Sequence, residues 1–179
     1  LQLRNEILVE HSKKQTKKIA DWVCRDKKRF KSLMNLFFYD VPIIVQRSAW
    51  IMRFVVEEHR DWLRPYIRKM LLYCREPVHN AVKRNVMYVL QNITLPDKLL
   101  GLAATISFDL LLDMKEPVAV KVFAMSVLYN ITLRERGLQS ELELCIGEQM
   151  ELAKPAFRSR GTKLLKQLTR LKGEPPTLY

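Results

Sequence analysis

The sequence predicts an all-α fold: a right-handed α-solenoid of four to five stacked helix pairs. Three observations predict it. One is a phrase used twice, Glu76-Pro77-Val78 with Val89-Leu90-Gln91-Asn92-Ile93-Thr94, then Glu116-Pro117-Val118 with Val127-Leu128-Tyr129-Asn130-Ile131-Thr132. From Ala81-Val82-Lys83 to Ala119-Val120-Lys121 the offset is 38, and it holds through Asn-Ile-Thr, with His79 and Asn80 extra in the first copy. A second is composition. At 179 residues and 48% hydrophobic, the chain can fill an apolar interior, and with only 5 glycines and no alternating β-branched runs it favours helix over sheet. The third is punctuation: Pro42, Pro77, Pro117 and Pro155, spaced 35, 40 and 38 apart, each read as opening the second helix of a pair.

The elements follow in order. Leu3, Ile7 and Leu8 mark a short amphipathic helix over residues 1–10, and Ser12 is placed to cap the next, with Ile19, Trp22 and Val23 on its apolar face. Arg25-Asp26 breaks the pattern before Phe30, Leu33, Met34, Phe37 and Phe38 recur at helical spacing. Asp40-Val41-Pro42 ends that helix, because proline cannot donate the bond a continuing helix needs. Helices are then expected over 43–58, 62–74 with Pro65 in its first turn, 77–93, 96–112, 117–131, 138–153 and 155–171. Each pair has an apolar face that only a neighbouring pair can cover. A single domain is expected over 1–173, with residues 174–179 as a tail.

Several classes are disfavoured. The most apolar stretch, Leu99 to Leu112, carries Ser107 and Asp109 and is shorter than the roughly 20 residues a bilayer needs. No signal peptide is visible. Cys24, Cys74 and Cys145 are odd in number and far apart, so free thiols in a reducing cytoplasm are expected. His11, His59 and His79 lack the helical spacing of a metal pair, and no metal or cofactor is expected. The net charge of +12 is concentrated at the ends: residues 1–31 hold ten Lys/Arg against four acids, residues 154–179 seven against one, and 32–153 are neutral.

The proline-bounded pairs, with Lys83 and Lys121 after Ala-Val and then Val-Leu-x-Asn-Ile, resemble HEAT and armadillo repeats over roughly residues 12–171. The stretches Arg4–Trp22 and Lys115–Ile131 are also similar to a group of small bacterial HEAT-like proteins. The resemblance implies that the second helices line a concave groove and that the protein is a non-enzymatic interaction module for a protein or peptide. In armadillo repeats an inner-helix Asn bonds the backbone of an extended peptide, with a Trp one turn earlier. Asn92 and Asn130 match that Asn, and Tyr88 and Ser126 precede them by one turn. In the earlier pair Trp50 matches the aromatic but Phe54 stands at the Asn position, and in the last pair Lys163 and Gln167 stand there. The competing reading has the amides tying down loops. Both asparagines also sit in N-x-T sequons.

A second candidate row is cationic: Arg47, Lys83, Lys121 and Arg158, spaced 36, 38 and 37 apart. Along a groove it would attract phosphates or acidic chains. Alternatively these residues pair internally with Asp40, Glu76 and Glu116. The third candidate is the basic ends, Lys13, Lys14, Lys17 and Lys18 on one helix and Arg158, Arg160, Lys163 and Lys166 on another. They suit phosphate contact with nucleic acid, or simply the polar face of a terminal unit. Along the sequence no Gly-rich phosphate loop, His/Cys/acid motif or G-x-S-x-G stands out, so no catalytic constellation is expected. The enzymatic alternative is resemblance to HEAT-like alkylpurine-DNA glycosylases, for which Trp22, Trp50, Trp62 and Asp61 are the available groups.

Overall fold

The computed structural model describes residues 2–172. Among them are ten α-helices and no strand. Packing divides the chain into two units, one ending at Thr94 and the other beginning at Leu95.

The first unit holds α1 (Leu3–Val9), α2 (Lys13–Cys24), α3 (Lys27–Tyr39), α4 (Pro42–Glu58), α5 (Ile67–Tyr73) and α6 (Asn80–Leu90). Ser12 caps α2 by accepting from the Gln15 amide at 3.1 Å, and Asp26 caps α3 by accepting from Lys28 at 2.8 Å. The Asp40-Val41-Pro42 break falls as expected, with Pro42 in the first turn of α4. Phe30, Leu33, Met34 and Phe37 form the buried face of α3, which packs on α4, itself buried at Ile44, Ala49, Met52 and Val55 among others. In turn α4 packs on α2 on one side and α6 on the other, so the second helices lie side by side.

The second unit holds α7 (Leu100–Leu112), α8 (Val118–Thr132), α9 (Gln139–Gln149) and α10 (Pro155–Lys172). Here α8 is the centre, packed against α7, α9 and α10 and buried over ten of its residues. Arg134 donates to the Leu95 carbonyl at 2.6 Å and pairs with Asp97, fastening the end of α8 to the start of the unit. Gly161 lets α10 approach α9: a Cβ there would stand 2.8 Å from Met150 Sδ and 3.0 Å from Ile146 Cγ2.

Boundaries of three expected helices are corrected. Pro77 does not open α6, because the inserted His79-Asn80 displaces the start; His79 Nδ1 accepts from the Ala81 amide at 3.1 Å and Asn80 is the first helical residue. The helix also stops at Leu90, leaving Asn92 in the turn beyond it. The helix expected over 62–74 is 3-10 from Arg60 to Tyr66 and α-helical only from Ile67, since Pro65 within it has no N–H to give. Finally, α9 ends at Gln149 instead of 153. The tail expected from residue 174 lies outside the described residues.

Two substitutions test this packing. Phe37 is fully buried and meets Tyr73 edge-on, with ring centroids 5.6 Å apart. Phe37→Ala is expected to lower unfolding free energy in urea by about 3–5 kcal/mol. Gly161→Val forces its branched side chain into Ile146 and Met150 and should cost about 1–3 kcal/mol. Either variant unfolding at the wild-type midpoint would contradict the packing described.

Candidate functional site

Counted from the first residue of each second helix, the four cations do not form one row. Arg47 is the sixth residue of α4, whereas Lys83, Lys121 and Arg158 are fourth in α6, α8 and α10. The spacing of 36 was two short of the true repeat, which runs 42, 80, 118 and 155 at the helix starts. Arg47 is committed to the C-terminus of α1, its Nη1 donating to the carbonyls of Ile7 at 2.8 Å and Leu8 at 3.2 Å. Its expected partner, Asp40, is instead held by Arg4 through two bonds of 2.8 and 3.0 Å. Lys83 is half-buried and Arg158 exposed.

Lys121 is buried, and its Nζ donates to Gln149 Oε1 at 2.8 Å. Gln149 in turn donates to the Leu111 carbonyl at 3.2 Å, so this lysine joins α8 to α9 and α7. Ser126 is likewise internal, accepting from Arg160 Nη1 at 3.1 Å while donating to the Val122 carbonyl. Asn130 and Gln167 are half-buried and Lys163 is exposed.

The aromatic–amide series keeps its register: Trp50, Tyr88, Ser126 and Lys163 are each ninth from their helix starts, and Phe54, Asn92, Asn130 and Gln167 thirteenth. In the first unit these residues meet. Trp50 stands edge-on to His11 at 5.2 Å and tilted against Phe54 at 6.4 Å, while Lys17 of α2 lies over the Phe54 ring at 5.7 Å. On the next helix the motif recurs more tightly, with the Arg53 guanidinium 3.5 Å from the centre of the Tyr88 ring. Glu57, one turn after Arg53, pairs with it at 3.5 Å and accepts from the Tyr88 hydroxyl at 3.1 Å.

These groups line a cleft of about 170 Å³ between α4 and α6, whose walls are Arg53, Val56, Glu57, Arg60, Tyr88, Val89 and Asn92. Ligand pockets for cofactors run roughly 300–1,000 Å³. This one has room for a single side chain. Asn92 is exposed at its rim and donates to the Tyr88 carbonyl at 2.7 Å. Arg53, Glu57 and Arg60 were not singled out from sequence. Their available signal was the i, i+4 spacing of Arg53 and Glu57, which reads as an ordinary surface ion pair.

The three tryptophans of the enzymatic alternative make different contacts. Trp22 carries the Arg29 guanidinium at 4.1 Å, Trp62 lies against Phe30 and His59, and Trp50 faces His11 and Phe54. Asp61 is exposed. No helix among the described residues is long and apolar enough to cross a membrane.

Lys121 supplies a pH test. Burial pulls its ammonium below the ordinary lysine value, against the upward pull of Asp113 and Glu116. The unfolded chain therefore binds this proton more tightly than the folded one. Stability contributed at this position must rise with pH from the lowered folded value up to the ordinary one, about 10.4. Urea unfolding of wild type and Lys121→Met between about pH 7 and 10 should show wild type gaining relative to the variant. Parallel curves would refute the burial.

A family model described as a HEAT repeat domain matches residues 3–168, from α1 into α10. No curated protein and no solved structure matches. The match spans nearly the whole chain and agrees with the serial helix pairs, and so the protein belongs to the HEAT repeat domain family.

Proposed function

We propose that the protein is a non-enzymatic interaction module that holds an extended polypeptide across α2, α4 and α6. The observation that carries this reading is the repeated cation-on-aromatic step, Lys17 over Phe54 and Arg53 over Tyr88, ending at the small cleft beside Asn92. An extended chain advances about 3.3 Å per residue and presents side chains to alternate sides, so successive steps on neighbouring helices can be read by side chains of one strand-like peptide. Aromatic faces supply contact area at little entropic cost, and the exposed Asn92 amide supplies a hydrogen-bonding group for a peptide backbone. Lys17, Arg53 and Arg60 give the surface a positive bias, so acidic side chains are the complementary ligands.

The test compares wild type with Tyr88→Ala/Asn92→Ala in affinity capture with and without nuclease, followed by titration of the purified partner. The double variant is expected to bind that partner at least tenfold more weakly, with nuclease making no difference. A rival reading rests on the exposed Lys13, Lys14, Lys17 and Lys18 of α2 and predicts duplex DNA binding whose logarithm falls by about 0.9 per neutralised phosphate per decade of salt. Capture abolished by nuclease, with that salt slope and indifference to the double variant, would replace the peptide reading with the nucleic-acid one.

A further inference from the structure

We propose that Cys24, Glu58 and His59 form a binding site for one zinc ion, with water completing a four-coordinate shell. A thiol sulfur, a carboxylate oxygen and an imidazole nitrogen from these residues all lie within 4.8 Å of one another. Donors around tetrahedral zinc stand about 3.5 Å apart, given bonds of roughly 2.0–2.3 Å. Closing the cluster therefore takes about 1 Å of side-chain adjustment, and the exposed Glu58 is already hydrogen-bonded to the Cys24 thiol.

The placement is specific to the packing of α2 on α4. Cys24 is the last residue of α2, Glu58 the last of α4, and His59 the cap that follows. Two helix C-termini converge here, and their carbonyl ends carry partial negative charge that favours a cation. The His59 ring is held flat against Trp62, with centroids 4.0 Å apart and planes 5° from parallel, which fixes the direction of its nitrogens. Trp62 is itself anchored on Phe30 at 5.7 Å. Such support is what turns a nearby imidazole into a ligand.

The donor set selects the ion. Calcium and magnesium require several oxygens, and this cluster offers one carboxylate. Sulfur plus nitrogen suits zinc or another borderline-soft divalent ion. Arg25 and Arg60 adjoin the cluster in sequence, so charge alone does not retain a cation there, and the thiolate bond is required. On coordination Cys24 releases its proton to solvent and its sulfur binds as thiolate; His59 binds as the neutral ring.

The experiment is titration of the full, untagged chain with Co2+, then displacement by Zn2+. One equivalent of Co2+ should give a thiolate-to-cobalt charge-transfer band together with the visible bands of four-coordinate cobalt, and Zn2+ should remove both. Cys24→Ser should abolish the charge-transfer band, and Glu58→Gln should weaken Co2+ binding at least tenfold; Cys74→Ser and Cys145→Ser, at buried thiols elsewhere, should leave the band intact. Zn2+ at about a hundredfold excess over its dissociation constant should raise the wild-type Tm by roughly 5 °C and leave Cys24→Ser unmoved. Circular dichroism of each variant checks folding independently. No band at millimolar Co2+, a band that survives Cys24→Ser, or undiminished affinity in Glu58→Gln would overturn the site.

Discussion

The packing of each second helix against its neighbours constrains everything else in these units. In the first, α4 must satisfy α2, α3 and α6 at once, and it does so by burying Ile44, Val45, Ser48, Ala49, Ile51, Met52, Val55 and Val56. Each large aliphatic among them contributes about 1.5–3 kcal/mol by leaving water. In its C-terminal half the positions left outside this core are Trp50, Arg53, Phe54, Glu57 and Glu58, half-buried or exposed. The candidate site is thus drawn from the positions of this half-helix that the core does not take. That explains why its residues are large and amphipathic: their stems and rings cover the seams between helices while their polar ends reach solvent.

The same constraint sorts the cations. A chain of net charge +12 invites an electrostatic account of function, but many of its charges hold the structure together. Arg47 satisfies the carbonyl end of α1, Arg134 ties Leu95 and Asp97 to α8, Lys121 bridges to Gln149, and Arg160 reaches Ser126. Arg47 meets helix-end carbonyls that would otherwise lack partners, whereas the other three meet a loop carbonyl with a carboxylate, a side-chain amide and a hydroxyl, so each cation answers a local need. Those left facing outward near the aromatic row are fewer, and they are the ones relevant to a ligand.

Sequence made the repeat legible because offset and helix period are one-dimensional properties. The 38-residue phrase, the cap at Ser12 and the breaks at Arg25-Asp26 and Pro42 all depend on residues a few positions apart, and the structure agrees with each. The errors arose where an insertion or a local backbone choice intervened. His79-Asn80 shifted the start of α6 away from Pro77, and matching basic residues by type drew Arg47 into a row two positions out of register. The equivalent of Arg47 in α6 is Asn85, buried at 1% exposure and bonded to the Ala81 carbonyl at 2.8 Å. The cleft was hidden for a different reason. Arg53 and Tyr88 lie 35 residues apart in the chain and meet only because α4 and α6 pack together, as Cys24 and His59 meet only because α2 and α4 do.

The last turn of α4 serves both neighbours, because adjacent residues on a helix point about 100° apart. Glu57 is directed toward α6, where it meets Tyr88, and Glu58 toward α2, where it meets Cys24. His59 then leaves the helix and Arg60 follows on the wall of the cleft. The cleft and the Cys24 cluster therefore stand on opposite sides of one helix end and share the last turn of α4.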